Sequence, residues 1–146
     1  MKKQKISAKT VALMAMMIAL AMIFSYVETM IPINFGIPGV KLGLANLVIV
    51  AAIYLFGGKQ AFLISIVRIF LSGFMFGNLA SIMYSLAGGL LSLAVILLLK
   101  KTDKLSILAV SVMGGICHNI GQLIVAMLVV ENLKLIFYVP VLLISG

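Results

Sequence analysis

Long apolar runs separated by short polar breaks make up most of this chain. The breaks predict six helices, over residues 10–27, 42–56, 61–77, 79–99, 105–130 and 135–146. A helix needs about 20 apolar residues to cross a hydrocarbon core of roughly 30 Å, and several of these runs approach that length. The pattern predicts an all-α integral membrane protein, in which residues 1–146 form a single transmembrane domain, a bundle of six helices.

The last apolar run is shorter than the others. Residues 135–146 cover roughly 18 Å as a helix, which is too short to cross a membrane. We expect either a half-span or a C-terminally truncated version of a longer protein. Because the run ends without a stop signal or a flanking charge, we favour truncation.

The composition supports the same class of protein. The chain is 64% hydrophobic and 10% charged, with a mean hydropathy of +1.33. A soluble domain carries about 25% charged residues, so this chain has too much apolar surface for an aqueous core to hide. The composition therefore excludes a soluble enzyme, a secreted disulfide scaffold and a disordered chain.

The distribution of basic residues predicts an orientation. The net charge is +8, from 11 basic and 3 acidic residues. If the N-terminus lies inside, the cytoplasmic segments hold eight lysines and the outer segments hold two, which favours that orientation in the cytoplasmic membrane. The basic clusters lack interleaved aromatic residues, so we expect contact with the lipid bilayer and no binding of nucleic acid.

Polar residues inside the apolar runs predict a binding pocket that opens to the outside. A charge near the bilayer centre costs at least about 2.5 kcal/mol, so Arg68 should face protein or water. Ser65 and Ser72 share its helix face, because they lie three and four residues away. The predicted substrate-binding residues in or beside these runs are Asn46, Arg68, Asn78, Ser81, Tyr84, Ser85, His118, Asn119 and Gln122.

Helix packing is the alternative interpretation of these polar residues. Serine, glycine and asparagine commonly join membrane helices, so the small residues can be structural. Arg68 can likewise brace the bundle through an ion pair, for which Glu28 is the candidate acid.

Catalytic chemistry has little support in the sequence. Asp103 is the only aspartate and His118 the only histidine, and Cys117 is a single cysteine. Paired acids, a metal-ligand cluster and a Walker loop are therefore absent from the sequence. We expect no enzyme activity, no cofactor and no metal site.

Alanines recur along one side of the first helix. Ala8, Ala12, Ala15 and Ala19 are spaced four, three and four residues apart, so they form one narrow stripe. Small residues let a second helix approach closely in lipid. The second helix can belong to another protein or to this chain's own bundle, and the sequence leaves both open.

The stretch Pro38-Gly39-Val40-Lys41-Leu42-Gly43-Leu44-Ala45-Asn46-Leu47 resembles the Gx transporter family, also labelled heptaprenyl diphosphate synthase component I. The stretch from Arg68 to Gly77 continues the match. With its basic N-terminus and alanine-striped first helix, the chain is also similar to S components of energy-coupling-factor (ECF) transporters. The resemblance covers nearly the whole chain apart from the short sixth segment.

The resemblance implies a function and a set of partners. The chain would be the substrate-binding (S) subunit of an ECF-type uptake transporter for a small molecule, with Ala12, Ala15 and Ala19 against a transmembrane coupling subunit that joins two ATPases. The resemblance also implies that the first outer loop encloses the substrate, which adds Asn34 and Lys41 to the predicted substrate-binding residues. The alternative is a noncatalytic membrane component associated with heptaprenyl diphosphate synthase, because one aspartate cannot supply the magnesium sites of prenyl transfer. A third alternative is a self-associating structural membrane protein.

Overall fold

The computed structural model describes residues 7–31, 43–131 and 133–140. Within these ranges the chain forms five α-helices, followed by a short 3-10 helix. The helices are α1 (Ala8–Met30), α2 (Leu44–Phe56), α3 (Gly58–Phe76), α4 (Leu79–Thr102) and α5 (Ile107–Val130), and the 3-10 helix is Leu133–Tyr138. Four of them, α1, α3, α4 and α5, are long and apolar enough to cross a membrane.

The first five predicted helices are confirmed, with ends that differ by up to three residues. The largest differences are at the start of α3, which begins at Gly58, and at the ends of α1 and α4. At 13 residues and roughly 20 Å, α2 is shorter than the hydrocarbon core is thick. A sixth spanning helix is not seen in the described residues: 133–138 form the 3-10 helix, and 141–146 lie outside them.

Side chains and one glycine fix where the helices begin and turn. Ser7 and Ser106 accept hydrogen bonds from backbone N–H groups in the first turns of α1 and α5, as N-cap residues do. Gly57 alone separates α2 from α3, and its φ of 92° is a conformation that glycine adopts readily. This tight connection places the end of α2 beside the start of α3.

Four lysines mark one end of the bundle. We call this the lysine-bearing end: α2 and α4 end there, α3 and α5 begin there, and it carries Lys59, Lys100, Lys101 and Lys104. The ammonium of Lys100 donates to the carbonyl oxygen of Ile53 at 2.8 Å and lies 4.7 Å from the ring centre of Tyr54. Because Ile53 is in the last turn of α2, this cation stabilises the negative end of the helix dipole.

The half of the bundle nearest the lysine-bearing end has an apolar core. Its buried members come from all five helices, and they are Met14, Ile49, Val50, Ala52, Ile53, Ala61, Ile64, Leu93, Ile96 and Val110.

Glycines bring α4 and α5 into close contact. A Cβ added to Gly121 would lie 2.8 Å from the Cα of Gly88, and one added to Gly88 would lie 2.5 Å from the carbonyl oxygen of His118. Such distances are too short for any real side chain, so the two backbones touch directly at this level. This contact fixes the height of α5 relative to α4, and with it the position of His118.

Candidate functional site

Beyond the apolar core, a layer of buried polar side chains crosses the bundle. We call it the polar layer, and it consists of Asn46 on α2, Arg68 on α3, Ser92 on α4 and His118 on α5. Each lies ten or eleven residues from the lysine-bearing end of its helix, which corresponds to roughly 15 Å. Asn46 and Ser92 are level with each other, because they are hydrogen-bonded. The backbone of His118 instead contacts Gly88, one turn of α4 farther from the lysine-bearing end, so the four residues lie within about two helical turns of one another.

Asn46 and Ser92 connect two helices within this layer. The Ser92 hydroxyl donates to the side-chain oxygen of Asn46 at 3.2 Å, and both residues are buried. Because the partners lie 46 positions apart in the chain, this hydrogen bond ties α2 to α4. In lipid such bonds contribute about 0.6 kcal/mol on average.

His118 lies between the start of α2 and the middle of α4. Its ring is 3.0 Å from the position that a Cβ of Gly43 would take, and its Nδ1 is 3.1 Å from that of Gly88. The amide nitrogen of Gln122 donates to Nε2 of His118 at 2.8 Å. An amide nitrogen only donates, so the ring nitrogen is the acceptor of this hydrogen bond. His118 and Gln122 therefore share one face of α5 and are hydrogen-bonded to each other.

Arg68 is the charged member of the polar layer. The side chain is 4% exposed and shares its buried helix face with Ser65 and Ser72, as the spacing predicts. Its Nε and Nη2 are buried and have no hydrogen-bond partner among the residues that the structure describes. Glu28 is close enough for its negative charge to act on Arg68.

Glu28 and Ser25 bring α1 to this region. An oxygen of the Glu28 carboxylate accepts the backbone N–H of Leu44 at 2.5 Å, which joins the end of α1 to the start of α2. Ser25 is three residues earlier on the same buried face of α1, and its hydroxyl is buried without a partner in the described part of the chain.

Other predicted site residues occupy different places. Asn78 is exposed and forms a capping box with Ser81 at the first turn of α4, more than two turns away from Ser92. Tyr84 is buried in an apolar cluster with Leu123 and Ala126. Ser85 and Asn119 are buried on α4 and α5. Asn34 and Lys41 lie outside the described residues.

The alanines predicted to bind a partner face away from the bundle. We call Ala12, Ala15 and Ala19 the alanine face, and all three are exposed in the structure. The buried residues of α1 are Met14, Ala21, Ser25 and Glu28. At roughly 100° per residue, their face and the alanine face are separated by about 140°. The described residues of this chain therefore leave the alanine face uncovered.

An apolar groove adjoins the alanine face. It has a volume of about 710 Å³, and Leu13, Met16, Met17, Ala19, Leu20, Ile23, Leu55 and Phe56 line it. The groove lies between α1 and the last turn of α2, on the side where α1 has few neighbours.

Comparison with known proteins identifies the family. A family model described as heptaprenyl diphosphate synthase component I matches residues 17–146, which is most of the chain. The chain belongs to the heptaprenyl diphosphate synthase component I family. No curated protein and no solved structure matches it.

The family name describes a component of a synthase and does not itself designate a catalytic subunit. The polar layer of this family member contains one guanidinium, one imidazole, one amide and one hydroxyl, and the Glu28 carboxylate lies nearby. Among the residues that the structure describes, no three His, Cys, Asp or Glu side chains come together as metal ligands do. These groups can bind another molecule through hydrogen bonds and charge.

Sequence reasoning missed three features of the site in this family member. The hydrogen bond between Ser92 and Asn46 was not predicted, and Ser25 was not among the candidate residues. Ser25 does lie three residues before Glu28, so the helical spacing of polar residues was an available signal. The contact of Gly43 with His118 had no such signal, because it depends on how α2 packs against α5.

Proposed function

We propose that this member of the heptaprenyl diphosphate synthase component I family is the substrate-binding subunit of an ECF-type uptake transporter for a small molecule. The observation that carries the proposal is the polar layer: four helices of an apolar bundle each bury a polar side chain beyond the apolar core, within about two helical turns of one another. A bundle that only needs to pack has no reason to bury an arginine, since the charge costs at least about 2.5 kcal/mol there.

The alanine face supports the second part of this proposal, the coupling subunit. Three small side chains are exposed on the side of α1 opposite its buried face, so a foreign helix can approach the α1 backbone closely. In the proposed assembly a transmembrane coupling subunit packs there and joins the substrate-binding subunit to two ATPases. The self-associating alternative uses the same face but gives no role to the polar layer.

The proposed orientation places the lysine-bearing end in the cytoplasm. Lys59, Lys100, Lys101 and Lys104 lie at this end, and the start of α1 adds the exposed Lys9. The substrate then reaches the polar layer from the opposite side of the cell membrane. A sixth helix beside α5 would complete the six-helix bundle of an S component.

A second candidate function follows from the family name. The chain would be a noncatalytic membrane partner of a heptaprenyl diphosphate synthase. This function needs a surface for a soluble enzyme, and the polar layer would then have a structural role only.

Co-purification separates the two candidates. The chain is co-expressed with a coupling subunit and its ATPases, or with the catalytic synthase component, and is isolated through a tag in mild detergent. We expect the coupling subunit to co-purify with wild type, but not with Ala15→Leu, since a bulky side chain keeps the two helices apart. Ala51→Leu, at an exposed alanine of α2, is the matched control and should co-purify the partner. Recovery of the synthase component instead of the coupling subunit would contradict the proposal.

A further inference from the structure

The guanidinium of Arg68 presents a buried pair of parallel donors. Nε and Nη2 carry N–H bonds on the same side of the planar group, the side that binds carboxylate or phosphate through two hydrogen bonds. Both atoms are buried without a hydrogen-bond partner among the described residues. Leaving such donors unsatisfied in an apolar interior costs free energy, so this edge is suited to a bound acceptor.

The chain has few carboxylates that could occupy this edge. It contains three acidic residues, Glu28, Asp103 and Glu131, and none of them falls in the ranges outside the described residues. Asp103 and Glu131 are exposed at the ends of α4 and α5. Glu28 acts on Arg68 through its charge, but its carboxylate accepts the N–H of Leu44, and no hydrogen bond joins it to Nε or Nη2 of Arg68.

We propose that the Nε–Nη2 edge of Arg68 binds the carboxylate or phosphate group of a ligand. A planar edge with two parallel N–H bonds matches the two oxygens of either group, and the ligand's charge balances the buried guanidinium. The buried hydroxyl of Ser25 is a further donor without a partner in the described residues, on a helix that packs against α3.

This inference deepens the proposed function, on which it rests for the statement that the ligand is the transported molecule. The oxyanion can belong to a small water-soluble molecule or to a lipid headgroup. Both present the same chemistry to Arg68, so the experiment must distinguish between these sources.

The first arm of the test uses soluble probes of equal chain length. Thermal unfolding is followed in nonionic detergent and phosphate-free buffer with added hexanoate, hexyl phosphate or hexanol. We expect the two anions to raise the midpoint of wild-type unfolding and the alcohol to leave it unchanged. In Arg68→Gln the apparent affinity for the anions should fall by about 10- to 100-fold, the loss expected for hydrogen bonds to a charged group.

Two further variants keep the test decisive if Arg68→Gln does not fold. Arg68→Lys retains the charge but not the paired donors, and we expect the anion affinity to fall by about tenfold. Lys101→Gln removes one positive charge at an exposed position and should bind the anions as wild type does. Anion binding that is equal in wild type and Arg68→Lys and is lost in Lys101→Gln would overturn the proposal.

The second arm tests the lipid source. The protein is placed in nanodiscs of phosphatidylcholine alone or with added phosphatidic acid. An Arg68-dependent rise in the unfolding midpoint with phosphatidic acid, without a response to hexyl phosphate, would assign the site to a lipid headgroup. A response to neither anion source, or an equal response to hexanol, would overturn the proposal. Arg68-dependent anion binding without co-purification of a coupling subunit would leave the site standing and contradict the transporter function.

Discussion

The Glu28 carboxylate accepts a hydrogen bond of 2.5 Å from the backbone N–H of Leu44. Leu44 is the first residue of α2, and its N-cap, Gly43, has no side chain to satisfy the free N–H groups of the first turn. Glu28 therefore supplies, from α1, the hydrogen-bond acceptor that an N-cap side chain supplies in other helices. Its charge also lies at the positive end of the α2 dipole.

Neutralising Glu28 should destabilise the protein. Glu28→Gln keeps an acceptor oxygen but loses the charge, and hydrogen bonds to charged groups are stronger than neutral ones by about 1 kcal/mol. We expect the free energy of unfolding in detergent to fall by at least about that amount, because the buried Arg68 also loses its negatively charged neighbour. Glu131→Gln, at an exposed position after α5, is the control. An equal effect of both substitutions would show that Glu28 does not stabilise the start of α2.

Adding one methyl group to Gly88 should separate α4 from α5. A Cβ there would lie 2.5 Å from the carbonyl oxygen of His118, so the helices must move apart. We expect Gly88→Ala to lower the free energy of unfolding by about 1–3 kcal/mol, measured by denaturant titration in detergent.

The neighbouring glycine provides the matched control for this substitution. A Cβ at Gly89 would lie 3.2 Å from the end of the flexible Ile69 side chain, which can shift. Alanine also forms helices better than glycine by about 1 kcal/mol, so Gly89→Ala should be close to neutral. If the two variants were equally stable, the result would contradict a close contact between Gly88 and α5.

Asn46 and Ser92 should be energetically coupled. The single variants Asn46→Ala and Ser92→Ala and the double variant form a mutant cycle, measured by unfolding in detergent. We expect a coupling energy of about 0.6 kcal/mol, with an upper value of about 1.7 kcal/mol, as for other hydrogen bonds between membrane helices. Additive effects would mean that the two side chains do not interact.

The sequence predicted the helices well because their signal is local. Each apolar run ends at a glycine or a charged or polar break, and α2, α4 and α5 were placed to within three residues. The faces were also predictable, since Ser65, Arg68 and Ser72 follow helical spacing and all three are buried. The exposure of Ala15 could not be decided in advance, because a stripe of small residues suits an internal and an external contact equally.

Contacts between helices could not be predicted from the sequence. Asn46 meets Ser92 because α2 packs beside α4, and the ring of His118 lies beside Gly43 because α2 also packs against α5. Asn78 and Ser81 have the spacing of both a polar stripe and a capping box, and the structure shows the capping box. Tertiary packing, which the spacing of residues does not encode, decides each of these cases.

Cysteine labelling should show on which side of the membrane the lysine-bearing end lies. Lys59→Cys and Lys101→Cys, in a Cys117→Ala background, place single thiols at exposed positions of this end. We expect a membrane-impermeant maleimide to leave both unlabelled in intact cells and to label them after permeabilisation. Leu79→Cys, exposed at the opposite end, is the control and should react from outside. Labelling of Lys101→Cys in intact cells would contradict the predicted orientation and place the lysine-bearing end outside the cell.

Native mass spectrometry of the detergent-purified protein tests the central claim, that the polar layer binds a small molecule. We predict a bound small molecule on wild type and on the control Ala51→Leu. The same molecule should be lost from His118→Ala and Gln122→Ala, which remove a hydrogen-bonded pair of α5 while both variants stay folded. Equal retention of the molecule by both variants, or a wild-type protein that carries none from any growth medium, would contradict the account.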